Sequence, residues 1–128
     1  MDPLGILLYG YSKAQSEEIG TSIAAALGRE VDLLSASGME EKTVDEILEA
    51  GGSAGFEERE DRVLMFLGFD DEAISRAIDG FPKEKGIVRP IFCGLTDDNV
   101  QWKFTYLLEH LLEEHRHWTS RKENGAAE

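Results

Sequence analysis

Four short apolar runs, each followed by a helical pattern, organise this chain. The first, Gly5–Tyr11, is rich in aliphatic and aromatic residues and bounded by glycines, which predicts a buried strand. Ile19, Ile23, Ala26 and Leu27 then fall on one helical face. Ser12, with Gln15 three residues on, has the spacing of a capping box, and Gly28 is a natural stop. Glu30–Ser35, centred on Val31, Leu33 and Leu34, predicts a second strand. Thr43 and Glu46 form another capping box, ahead of a short face made by Val44, Ile47 and Leu48; Gly51-Gly52 ends it.

The run Arg62–Phe69 predicts a central strand, because apolar residues on both parities require cover on both faces. Asp70 or Asp71 caps a helix with Ile74, Ala77, Ile78 and Phe81 turned inward, stopped by Pro82 and Gly86. Ile87–Gly94 is a fourth strand. Pro90 lies inside it and has no amide proton for a ladder, which predicts an edge position or a bulge. The last helix is expected from Thr96 or Asp98 to about His117, with Asp97 and Asp98 at its positive end. Val100, Phe104, Leu107, Leu108, Leu111 and Trp118 make its inner stripe.

The halves echo one another. Ile6–Tyr11 reads like Leu64–Phe69, and the same spacing lays Leu33-Leu34 over Ile91-Phe92. The expected architecture is a single compact α/β domain over 1–120, built from two pseudo-symmetric β-α-β-α units that form one four-stranded sheet packed with helices. Unit one spans about 4–50, a glycine-rich and charged linker about 51–61, unit two about 62–118, and a flexible tail 121–128. Nothing in the pattern sets the strand order. A plain ferredoxin-like plait lacks the helix that closes each unit here.

Composition narrows the classes of function. An apolar content of 41% beside 30% charged residues describes a folded chain, not a disordered one. Twenty-six acidic against 13 basic residues leave a formal charge of -13, which repels phosphate backbones and anionic lipid surfaces. Nucleic acid and membrane are therefore disfavoured as partners. No apolar stretch is long enough to span a bilayer, and Met1–Tyr11 lacks the basic start and cleavage site of a signal peptide, so a cytoplasmic location is expected. Cys93 is the single cysteine, so neither an intrachain disulfide nor a cysteine zinc site is expected.

Three features of the second half carry a family resemblance. The strand Val63–Phe69 leads into the acidic helix start Asp70-Asp71-Glu72. Thr96, Asn99 and Trp102 stand at the spacing Thr-x-x-Asn-x-x-Trp. Leu107–His115 is a leucine- and glutamate-rich closing helix. In these the stretch from about 63 to 117 resembles the small bacterial and archaeal family called domain of unknown function 3783. The resemblance implies no activity, but it implies that a shared function involves Thr96, Asn99 and Trp102.

Trp102, Tyr106 and His110 follow at four-residue spacing, which predicts one flank of the last helix, beside the core stripe. Two readings stand: a contact patch for a protein partner or a second copy of the chain, or a helix buried on both faces. Thr96 and Asn99, at the end of the fourth strand, fit either a ligand-binding strand end or simple capping of the following turn. Tyr11 and Phe69 occupy matching positions after the first and third strands, as candidate walls of a cleft between the halves, or as packing over helix starts.

The chemical motifs are thin. Glu114 and His117 have a Glu-x-x-His spacing, but once only and without a four-helix bundle, so no metal is expected. Gly51–Gly55 follows a helix and lacks the lysine of a phosphate loop. Cys93 sits in apolar surroundings without an evident base. No catalytic set and no cofactor motif emerge. The reading favoured by the sequence is a non-enzymatic protein-interaction or regulatory module that uses its last helix, with a second copy of the chain as one candidate partner. The alternatives are a small-molecule sensor using Tyr11, Phe69, Thr96 and Asn99, and an enzyme with a composite acid/base site.

Overall fold

The computed structural model describes residues 4–82 and 87–126, with side chains up to His115. The elements run β1 (Leu4–Tyr9), α1 (Lys13–Leu27), β2 (Val31–Ser35), α2 (Val44–Glu49), β3 (Val63–Leu67), α3 (Asp71–Asp79), β4 (Ile91–Gly94), a 3-10 turn (Asn99–Gln101) and α4 (Phe104–Ala126). The four strands form one mixed sheet in the order β2-β1-β3-β4. β1 and β3 lie antiparallel at its centre, with Tyr9 opposite Val63 and Gly5 opposite Leu67. Each has its own parallel neighbour, β2 beside β1 and β4 beside β3.

Strand alternation divides the core into two layers. Leu7, Tyr9, Val63 and Met65 face one way, against Val44 and Ile47 of α2 and Phe104, Leu107 and Leu111 of α4. Ile6, Leu8, Leu64 and Phe66 face the other way, against Ile19 and Ile23 of α1, Ala77 of α3, and Phe81. Every residue of β1 is buried, which is why its apolar run is continuous. Each fully buried aliphatic side chain contributes about 1.5–3 kcal/mol, so this sandwich is the main source of stability. The result is one compact α/β domain.

Both expected capping boxes form. Ser12 and Gln15 exchange side-chain-to-backbone hydrogen bonds at 3.0 and 3.2 Å. Thr43 and Glu46 do so at 2.9 and 3.1 Å, and the backbone bond to Thr43 holds the Glu46 carboxyl below its usual range. Asp70, not Asp71, caps α3, accepting from the Ala73 amide at 2.8 Å.

Several expectations need correction. β4 begins at Ile91, after the buried Pro90, so proline precedes the strand; it is an edge strand as expected. Ile6 and Leu64 share one layer and Leu7 and Met65 the other, but the expected overlay of Leu33-Leu34 on Ile91-Phe92 is off by one residue. Leu33 packs into the α1/α3 layer and Ile91 into the α2/α4 layer; the residue facing as Leu33 does is Phe92. The last helix begins at Phe104, not at Thr96 or Asp98, and continues to Ala126, past the end expected at His117. Gly86 and the side chains of His117 and Trp118 lie outside the described residues.

The glycine-rich linker is stitched down. Ser53 donates its amide to the Ser35 carbonyl, Ser35 Oγ donates to the Gly55 carbonyl at 2.7 Å, and the Glu57 amide donates to Ser37 Oγ at 3.1 Å. Arg59 then donates its amide to the Gly10 carbonyl. Gly10, at φ 92°, makes this possible: a Cβ there would stand 2.2 Å from the Asp61 carbonyl oxygen.

Candidate functional site

The site grows from a short segment between β4 and α4. Thr96 and Asn99 close on each other: the Thr96 amide donates to Asn99 Oδ1 at 2.8 Å, and the Asn99 amide donates to Thr96 Oγ1 at 3.0 Å. Asn99 Nδ2 donates back to the Gly94 carbonyl at 3.0 Å. Asn99 is buried, and these bonds engage both ends of its amide. The pair therefore fastens the 3-10 turn to the strand end, and the capping explanation accounts for both residues.

After that turn the chain extends. Trp102 has φ -82° and ψ 148°, so it stands before the helix, not on it. Its carbonyl accepts from the Val44 amide, and Lys103 pairs with Thr43 as an isolated antiparallel bridge. The first free amides of α4 are met by carbonyls of the same loop, Phe104 donating to Lys42 and Thr105 to Glu40. Tertiary pairing with residues 40–44 thus delays the helix beyond where local propensity starts it.

The expected aromatic flank nevertheless assembles. The Trp102 ring meets Tyr106 edge-on at 4.8 Å between centroids, and meets His110 at 5.2 Å with the planes 70° apart. Tyr106 and His110 lie nearly parallel, 19° apart, with centroids 6.4 Å apart. Trp102 is half-buried against Phe104 and its cluster. Tyr106 is 51% exposed, and the His110 side chain is 44% exposed. His110 Nε2 lies 3.2 Å from Glu114 Oε1, one turn on. At the other end, Lys103 Nζ lies 3.8 Å from Glu41, which also accepts from Thr105 Oγ1 at 3.4 Å. Neither Glu41 nor Glu114 stood out as a member of this surface in the sequence. The four-residue step from His110 to Glu114 was a readable signal; the approach of Glu41 is purely tertiary.

Tyr11 and Phe69 are not brought together. Because β1 and β3 run antiparallel, their carboxyl ends point to opposite ends of the sheet. Tyr11 is buried, its hydroxyl donating to the Val88 carbonyl and its ring lying 5.8 Å from the Arg62 guanidinium. Burial pushes its phenol well above the ordinary range. Phe69 packs on Phe66, centroids 4.9 Å apart. The candidate cleft between the halves is therefore two separate packing sites. A concavity of about 360 Å³ does lie near Gly68, lined by Leu4, Leu27, Arg29, Asp70 and Arg76. There Asp70 already caps α3, and Arg76 Nη2 lies 2.8 Å from Glu72.

Cys93 packs in the α2/α4 layer, and burial raises its thiol to about 12, so it is a poor nucleophile near neutrality. Among the described residues no group of three or more His, Cys, Asp and Glu side chains is placed to hold a metal ion. No helix there is long and apolar enough to cross a membrane.

No curated protein and no solved structure matches the chain. As the strand, the Thr-x-x-Asn-x-x-Trp spacing and the closing helix imply, residues 62–117, which run from β3 through the whole aromatic ladder, match the model of the domain of unknown function DUF3783.

Proposed function

We propose that this protein is a non-enzymatic interaction module that presents the Trp102–Tyr106–His110 ladder of its last helix to a protein partner. The observation that carries the reading is the exposure of Tyr106 and His110 in ring contact with a Trp102 anchored in the core. An aromatic surface held rigid by the fold loses little entropy on contact, which is what interface anchors require. Thr96 and Asn99 serve it indirectly, by fixing the turn that delivers Trp102. The matched family span contains all of these parts.

The echo between β1-α1-β2-α2 and β3-α3-β4-α4 supports descent from one duplicated unit, with α4 as the extended and specialised copy of α2. The acidic composition and the single, unpaired cysteine support a cytoplasmic setting.

A photo-crosslinking amino acid at position 106 tests the reading, with the same group at Asp32 on β2 as control. A partner joined from 106 and not from 32 is expected, and the product should disappear when His110 is also changed to Ser. Equal crosslinking from both positions, or none from 106, overturns it.

A further inference from the structure

The ladder has a charge setting as well as a shape. Glu109, Glu113 and Glu114 are exposed on the same stretch of α4, and Glu41 lies beside Lys103 and Thr105 at its start. Lys103 lies beside Glu41, and the His110 ring beside Glu114. The ring planes matter too. Tyr106 and His110 are nearly parallel and about half exposed, and Trp102 is turned across both. A ring face attracts a cation, and carboxylates around it add to the attraction. A second copy of the chain would set the same glutamates against one another, between two molecules of formal charge -13.

We infer that the ladder binds a basic peptide segment, with a lysine or arginine cation over the exposed Tyr106 ring, beside Trp102 and His110, and its neighbours paired to Glu113 and Glu114. This rests on the interaction reading above and names the chemistry of the partner. Arginine suits the site best, since a planar guanidinium stacks on a ring while donating to a carboxylate.

The test uses the full chain carrying Trp118→Phe, so that indole emission reports Trp102 alone. The probes are an eight-residue Gly/Ser peptide with four arginines, and the same peptide with glutamine or with glutamate at those positions. Saturable change with the arginine peptide only is expected. It should weaken about fivefold or more with Tyr106→Leu, and similarly with the pair Glu113→Gln and Glu114→Gln. Raising the salt should weaken it further.

Equal binding of the glutamine peptide overturns the inference, as does arginine binding that Tyr106→Leu leaves unchanged. No response to any peptide overturns it as well. A doubled mass in solution that Tyr106→Ser abolishes gives the ladder to a second copy. That outcome sinks the cationic partner while the interaction reading survives. Crosslinking from position 106 decides the two apart.

Discussion

The indole of Trp102 meets the phenol of Tyr106 at 4.8 Å and nearly at right angles, although Trp102 lies in extended chain and Tyr106 on the helix. The two rings do different work. Trp102 reaches down to the core layer, while half of Tyr106 is in water. Trp102→Ala should therefore cost about 2–4 kcal/mol of stability, and Tyr106→Ala about 1 or less. Urea denaturation of the two variants checks this. A larger loss for Tyr106 would mean that the ladder closes the fold and is not an open surface.

The hydrophobic periodicity makes the elements legible because each strand carries its layer assignment in its alternation. Ile6 and Leu8 face α1 and α3; Leu7 and Tyr9 face α2 and α4. The capping residues Ser12, Thr43 and Asp70 mark helix starts because their partners lie three residues away. What depends on distant chain is not legible. The antiparallel setting of β1 and β3 separates Tyr11 from Phe69, and no local signal carries it. The start of α4 moves because residues 40–44 take the backbone bonds of 102–105. The aromatic flank was readable all the same, because extended chain at Trp102 still delivers its ring to Tyr106 and His110.

Asn99 offers a sharper test of the turn that carries the ladder. Its Oδ1 accepts from Thr96 and its Nδ2 donates to Gly94. Asn99→Asp keeps the first bond and loses the second, placing a carboxylate beside a carbonyl. Asn99→Ala loses both. Each should destabilise by about 1–3 kcal/mol. Both should also shift Trp102 emission, because the turn sets its position. A variant that keeps full stability and an unchanged Trp102 spectrum would show that Asn99 is not the fastening of this segment.

Gly80 is the close contact between α1 and α3. Its φ of -87° suits any residue, but a Cβ there would stand 2.4 Å from the Cβ of Ala26. Gly80→Ala should cost about 1–3 kcal/mol through overpacking. Adding Ala26→Gly removes the clash and should recover part of the loss, less the helix penalty of about 1 kcal/mol for the new glycine. A double-mutant cycle on thermal unfolding gives the coupling. Additive losses would mean that the two helices simply move apart.

The alkaline limb of stability should report Tyr11. Burial is the main cause of its raised pKa, and the Arg62 charge offsets it in part. The unfolded phenol loses its proton near pH 10, while the folded one keeps it. Below pH 10 both states hold the proton and Tyr11 contributes no change in stability. Above it the unfolded state binds fewer protons, so stability falls by about 1.4 kcal/mol per pH unit until the folded group titrates as well. Tyr9 acts in the same direction, through burial first and its bond to Glu40 second. Tyr11→Phe gives up the hydrogen bond to Val88 and should cost about 1 kcal/mol at neutral pH. In return its stability should decline less steeply between pH 10 and 11.5, leaving the slope due to Tyr9 and the buried Cys93 thiol. Urea midpoints measured across that range decide the matter: parallel limbs for the two proteins would mean that Tyr11 does not hold its proton in the folded state.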